Sequence, residues 1–157
     1  VFEDRQLAYV QKHLRILSAF YGVLEPMDGV TPYRLEMQAK VGIGAAKNLY
    51  DYWGERLYRS VIDDSRVIIN LASKEYSKCI EKYLTPKDTY ITVSFCELSG
   101  NKLVTKGTYA KMARGEMVRF MAEREIENPE EIRKFDRLGY TFRRDLSSES
   151  EYVFERK

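Results

Sequence analysis

The stretch Thr89-Tyr90-Ile91-Thr92-Val93-Ser94-Phe95-Cys96-Glu97-Leu98, followed by Ser99-Gly100-Asn101 and Lys102-Leu103-Val104-Thr105, decides the fold. Ile91, Val93 and Phe95 alternate with Tyr90, Thr92 and Ser94, the period of a strand with one face in a core. Ser-Gly-Asn supplies a turn, so the next four residues return as the second strand of a hairpin. Gly107-Thr108 then starts a long helix whose apolar side is Tyr109, Met112, Ala113, Met117, Phe120 and Met121. Strand, hairpin and helix in succession point to interleaved α and β elements.

Toward the C-terminus, Asn128-Pro129-Glu130-Glu131 places a capping Asn, a Pro at the first helical position and acids in the first turn. Two strands, 140–143 and 152–154, flank a Ser-rich turn at 147–150. Toward the N-terminus, Leu7, Val10, Leu14, Leu17 and Tyr21 recur at spacings of three and four, which predicts one helix ending at Gly22. A loop over 23–33 leads to a short strand in which Tyr33, Leu35 and Met37 alternate with Arg34 and Glu36. A second helix is expected to start near Gly44, with Leu49, Trp53 and Leu57 buried. Residues 67–71 read as a compact strand, and Ser73 is placed to cap a helix running to Tyr83. The expectation is α+β: a mixed sheet with several flanking helices, residues 1–157 forming one compact domain or the larger part of one. There is no internal repeat and no linker.

Composition excludes several classes. Of 157 residues, 44% are apolar and 13% aromatic, too many for a disordered chain. No apolar run approaches the roughly 18–20 residues of a membrane span. No secretory signal opens the chain. Cys79 and Cys96 are too few for a disulfide framework, which favours a reducing cytoplasm. His13 is the only histidine, so multi-His metal sites are ruled out and any Ser-His or Cys-His pair depends on this one ring. A boundary histidine is the plainer reading of His13. Two separated cysteines and scattered acids show no metal-ligand spacing, and neither metal nor cofactor is expected. Trp53 and most of the twelve tyrosines read as core and boundary residues.

Three stretches carry polar residues where a core would not ask for them: Pro32-Tyr33-Arg34-Leu35-Glu36-Met37, Asn70-Leu71-Ala72-Ser73-Lys74-Glu75-Tyr76 and Tyr109-Ala110-Lys111-Met112-Ala113-Arg114-Gly115. Others run in order with them: Leu17-Ser18-Ala19-Phe20-Tyr21-Gly22-Val23-Leu24, Lys47-Asn48-Leu49-Tyr50, Trp53-Gly54 and the closing Tyr152-Val153-Phe154. Together they make a set that resembles the YaaA family of bacterial peroxide-stress proteins. The resemblance implies a cytoplasmic protein that limits peroxide damage, a link to control of free intracellular iron, and a DNA-binding activity; it implies no known reaction. Members of that family begin with a segment carrying an Ile-Ser-Pro-Ala-Lys-Thr-like motif, which nothing here matches. The chain, opening at Val1 without Met, is therefore expected to be the C-terminal three-fifths of such a protein. Apolar surface or dimerisation arising from a missing segment would follow from that; the sequence does not fix an oligomeric state.

The net charge of +2 hides a basic segment. From Lys102 to Arg119 there are five basic residues (Lys102, Lys106, Lys111, Arg114, Arg119) against the single acid Glu116, a charge of +4 on a background of −2. Lys111 and Arg114, three apart, share a helix face, and Lys106 precedes the helix start, where free N–H groups favour an anion. Two readings stand: a solvated helix face, or a surface contacting DNA phosphates with Tyr109 available for stacking. Gly115 inside the helix costs about 1 kcal/mol relative to Ala, so a close approach of another backbone or a ligand is expected there. Val41-Gly42-Ile43-Gly44-Ala45-Ala46 is read either as a simple turn into the next helix or as a helix-hairpin-helix phosphate cradle, an element with which the family is associated. Arg34, Glu36, Asn70 and Ser73 are read either as a sheet ion pair with a capping Ser, or as an enzyme's polar pocket with Glu36 as base or metal ligand, Arg34 as anion holder and Asn70 and Ser73 positioning substrate. One carboxylate without a His or a second acid does not specify a reaction.

Overall fold

A computed structural model describes residues 1–157. In chain order the elements are α1 (Asp4–His13), β1 (Ile16–Ser18), β2 (Gly22–Leu24), α2 (Leu49–Trp53), α3 (Arg56–Val61), β3 (Val67–Asn70), α4 (Lys74–Glu81), β4 (Thr89–Ser99), β5 (Lys102–Val104), α5 (Gly107–Glu123), a 3-10 helix (Pro129–Lys134), β6 (Tyr140–Phe142), a 3-10 turn (Arg144–Leu146) and β7 (Glu151–Arg156). The fold is α+β with a mixed sheet. The chain divides into two compact units: residues 1–12, 69–71 and 90–157 form the sheet unit, and residues 13–68 and 72–89 a loop-rich unit.

In the sheet unit the order is β3-β4-β7-β6, with β5 paired to the end of β4. β4 and β5 form the expected hairpin, Glu97 facing Val104 and Ser99 facing Lys102. β4 and β7 are parallel, with Phe95 opposite Phe154, and α5 lies in the crossover between them. β6 runs antiparallel to β7. The inward residues of β4 (Ile91, Val93, Phe95) meet Ala110, Ala113, Met117 and Phe120 of α5, Ile132 of the 3-10 helix and Phe135 just after it. Phe95, Phe135, Tyr140 and Phe154 pack edge-on or tilted, centroids 5.1–5.8 Å apart. Asn128 caps the 3-10 helix by accepting the Glu130 N–H at 3.0 Å.

The loop-rich unit departs from the sequence reading in five places. The helix predicted over 7–21 stops at His13, and Ile16–Ser18 turns back to pair with Gly22–Leu24. The apolar spacing of three and four continues through a hairpin by coincidence. Gly22, at φ +85°, takes a backbone that side-chain-bearing residues rarely adopt, and the Tyr21 N–H donates to Ser18 Oγ at 3.0 Å across the turn. Residues 33–37 form no strand, because no neighbouring strand offers them a ladder. Side chains hold the segment instead: Met37 is fully buried, and the Tyr33 and Ser18 hydroxyls lie 2.5 Å apart.

The second helix starts at Leu49 rather than near Gly44. Ile43 and Ala46 exchange both backbone hydrogen bonds at 3.0 Å around Gly44 at φ +59°, so the helix waits for Asn48, whose Oδ1 accepts the Asp51 N–H at 2.8 Å. A tight turn with no helix before it is not a helix-hairpin-helix. Gly54, at φ +53°, then divides the expected stripe into α2 and α3. Ser73 occupies the cap position of α4, but its side chain makes no cap bond; its carbonyl accepts from Tyr76 and Ser77. Trp53 Nε1–H donates to the Ala19 carbonyl at 2.9 Å, fixing the hairpin on α2. No helix is long and apolar enough to cross a membrane.

Candidate functional site

The basic segment lies on β5 and α5, and part of its charge is used internally. Lys106 forms an ion pair with Glu97 at the end of β4. Arg119 holds Glu123 one turn on at 2.8 Å. Glu123 and Glu116 are also bound by Arg137, at 2.5 and 3.3 Å. These bonds hold the Glu123 carboxyl below its ordinary value, with the Arg137 hydrogen bond the largest cause and that of Arg119 next. Tyr109 carries the Arg156 guanidinium over its ring at 3.8 Å from the centroid.

Lys102 and Lys111 are exposed, and neither makes an ion pair or hydrogen bond through its side chain. Arg114 is half-buried, its Nε is buried without a hydrogen-bond partner, and burial pulls its pKa below the ordinary value. An arginine so placed has lost water and gained no acid, which makes it the least satisfied cation of the segment. The close approach expected at Gly115 does not occur: a Cβ there would meet nothing within 4 Å.

The four residues Arg34, Glu36, Asn70 and Ser73, read either as a sheet ion pair with a capping Ser or as a polar pocket, sit in different surroundings. Arg34 and Glu36 are exposed, and neither side chain makes an ion pair or a hydrogen bond, so the sheet pair has no sheet to sit on. Ser73 stands at the start of α4, three residues after Asn70, which is buried at the end of β3 with its Nδ2 donating to Thr92 Oγ1 at 3.3 Å. No three His, Cys, Asp or Glu side chains gather as a metal-holding group.

Sequence reasoning passed over an open cleft in the loop-rich unit, about 470 Å³ in volume, whose lining includes Met37, Gln38, Lys40, Lys47, Tyr50 and Lys78. Its signal was available only as two lysines seven residues apart and a third, Lys78, on a separate helix, with no pattern to join them. The Tyr50 hydroxyl donates to the Glu75 carbonyl at 2.8 Å, and the Gln38 N–H to Glu75 Oε1 at 3.3 Å, which ties the 37–40 loop to α4.

Among known proteins, the family profile described as peroxide stress protein YaaA matches residues 1–146. A UPF0246 protein of Agathobacter rectalis is 83% identical over 157 residues, which is all of this chain and 63% of that protein. A UPF0246 protein of Lachnoclostridium phytofermentans is 55% identical over 154 residues, covering 98% of this chain and 60% of the relative. One from Lactiplantibacillus plantarum is 50% identical over 154 residues, covering 98% and 62%. The chain thus spans about three-fifths of the length of these curated relatives. With the profile matching nearly end to end and these identities over the whole chain, the protein belongs to the YaaA peroxide-stress family.

Proposed function

We propose that this is a cytoplasmic peroxide-defence protein that touches DNA through phosphates, without reading sequence, on the face presented by Lys102, Lys106, Tyr109, Lys111, Arg114 and Arg119. The observation that carries the reading is the pair Lys111 and Arg114 on α5: one exposed without an ion pair, the other half-buried with an unbonded Nε. Their three-residue spacing puts both on one helix face, suited to neighbouring phosphates. Lys102 adds a third unpaired charge on β5, while Lys106 and Arg119, already neutralised, contribute less. Any effect on free iron is indirect in this reading. The enzymatic alternative around Arg34, Glu36, Asn70 and Ser73 has less support, because the first two are exposed and neither makes an ion pair or a hydrogen bond through its side chain.

The test is a DNA-binding titration at several salt concentrations. Replacing Lys111 and Arg114 together by Ala lowers the affinity and reduces the slope of log K against log[salt] by about 1–2, near 0.9 for each phosphate that is no longer neutralised. An unchanged slope overturns the assignment.

A further inference from the structure

We propose that the three-lysine cleft of the loop-rich unit binds a phosphate monoester. Lys40, Lys47 and Lys78 line one cavity of about 470 Å³, a lining that contains no Asp or Glu. All three are exposed, and none makes an ion pair or a hydrogen bond through its side chain. The carboxylates nearest in sequence, Glu36, Asp51, Glu75 and Glu81, stand outside the lining, and Glu75 Oε1 accepts from the Gln38 N–H. Three like charges gathered around one cavity repel one another, and an anion in the cavity relieves that repulsion.

The cleft is built rather than left over. Met37 and Leu49, at 0% and 1% exposure, anchor the chain just before Lys40 and just after Lys47. Between them the reciprocal Ile43–Ala46 bonds close a tight turn. Gly42, also in the lining, sits so near that turn that a Cβ would come 3.2 Å from the Ala46 carbonyl. Asn48 spends its Oδ1 on the Asp51 N–H, so its amide presents the Nδ2 donors rather than the acceptor. Tyr50 commits its proton to Glu75 and serves as a wall.

Charge selects the ligand. A phosphodiester carries one negative charge, whereas a monoester carries about 1.5 to 2 at pH 7, the better match to three ammonium groups. Lysine suits phosphate as a point charge. The volume falls within the roughly 300–1,000 Å³ usual for small-molecule sites. A monoester can come from a small phosphorylated metabolite or from the 5′-phosphate end of a nucleic-acid strand. The cleft shares no residue with the α5 face proposed to touch DNA, so the two sites stand independently.

The test is calorimetric titration of the whole protein with inorganic phosphate, adenosine 5′-monophosphate, and one short single-stranded oligonucleotide bearing either a 5′-phosphate or a 5′-hydroxyl. Binding of the mononucleotide, with competition by inorganic phosphate, assigns the small-molecule source. Preference for the 5′-phosphorylated strand without mononucleotide binding assigns the strand end. In either case Lys40→Gln, Lys47→Gln and Lys78→Gln combined weaken binding by at least roughly tenfold, the loss expected for charge-assisted bonds. Lys78→Arg, which keeps the charge, retains binding. Lys87→Gln, an exposed lysine of the same unit outside the cleft lining, leaves this affinity unchanged; the mononucleotide arm does not draw on the α5 face, so each proposal can fail alone. If the two oligonucleotides bind alike and the mononucleotide does not bind, or if the triple substitution changes nothing while the thermal melt is preserved, the proposal is overturned.

Discussion

Arg156, near the C-terminus, lays its guanidinium carbon 3.8 Å from the centroid of the Tyr109 ring in the first turn of α5. The same side chain reaches Glu97 at 3.6 Å, so the last strand, the central strand and the helix start are joined through one residue. One face of Tyr109 is thereby covered, and a base stacking there meets the other face or displaces the arginine. Cation–π pairs at exposed positions contribute about 0.5–1 kcal/mol. A double-mutant cycle of Arg156→Ala and Tyr109→Leu, read by denaturant melts, therefore gives a coupling of about 0.5–1 kcal/mol. A coupling near zero shows that the stacking contributes nothing.

Two glycines predict opposite signs for the same substitution. Gly115 lies inside α5 with open space where a Cβ would stand. Gly115→Ala gains helix propensity of about 1 kcal/mol and raises Tm by about 2–4 °C. Gly22 combines φ +85° with a hypothetical Cβ only 2.8 Å from the Trp53 ring. Gly22→Ala lowers Tm and alters the emission of Trp53, the single tryptophan of the chain. A Gly115→Ala variant less stable than the parent shows that the glycine is needed for something the free protein does not display.

Why one half of the chain was legible and the other was not has a physical reason. β4, β5, α5, the Asn128 cap and the last two strands announce themselves through local period and turn chemistry, and tertiary packing agrees with local preference. In the loop-rich unit the information is non-local. Leu14, Leu17 and Tyr21 continue a helical spacing, yet pairing of Ser18 with Gly22 overrides it. Met37 is buried without belonging to a strand. The lysine cleft follows the same logic, since nothing in Lys40, Lys47 or Lys78 alone signals a shared cavity. The basic window was visible as composition, but which of its charges are consumed by Glu97 and Glu123 depends on folding.

The cluster of Glu123, Arg137, Arg119 and Glu116 makes stability depend on pH with a definite sign. Hydrogen bonds from Arg137 first and Arg119 second lower the Glu123 pKa below its ordinary value of 4.5. A carboxylate depressed in the folded state stabilises the fold above its unfolded pKa, and that contribution is lost as pH falls through the folded value. Glu123→Gln is therefore less stable than the parent at neutral pH. The difference in Tm narrows as the pH falls below 4.5. A gap that stays constant down the acid limb, measured by thermal melts across pH, contradicts the assignment.

Membership of a peroxide-stress family raises the question of which side chains peroxide attacks. Cys79 is 5% exposed, and its pKa is pushed up to about 11, chiefly by burial, against a partial lowering from its own backbone. Cys96 is 7% exposed, its pKa is also raised chiefly by burial, and its thiol donates to the Phe154 carbonyl at 3.4 Å. Since the thiolate is the species that peroxide oxidises, Cys79 at pH 7 has on the order of one part in ten thousand in reactive form. Methionine needs no deprotonation, so exposure decides. Met27 and Met112 are 74% and 53% exposed, whereas Met37 and Met117 are fully buried. Hydrogen peroxide at neutral pH is therefore expected to add oxygen at Met27 and Met112 while leaving both cysteines and the two buried methionines intact, as read by peptide mass spectrometry. Trapping of a sulfenic acid at Cys79 under those conditions overturns this and shows that burial does not protect the thiol.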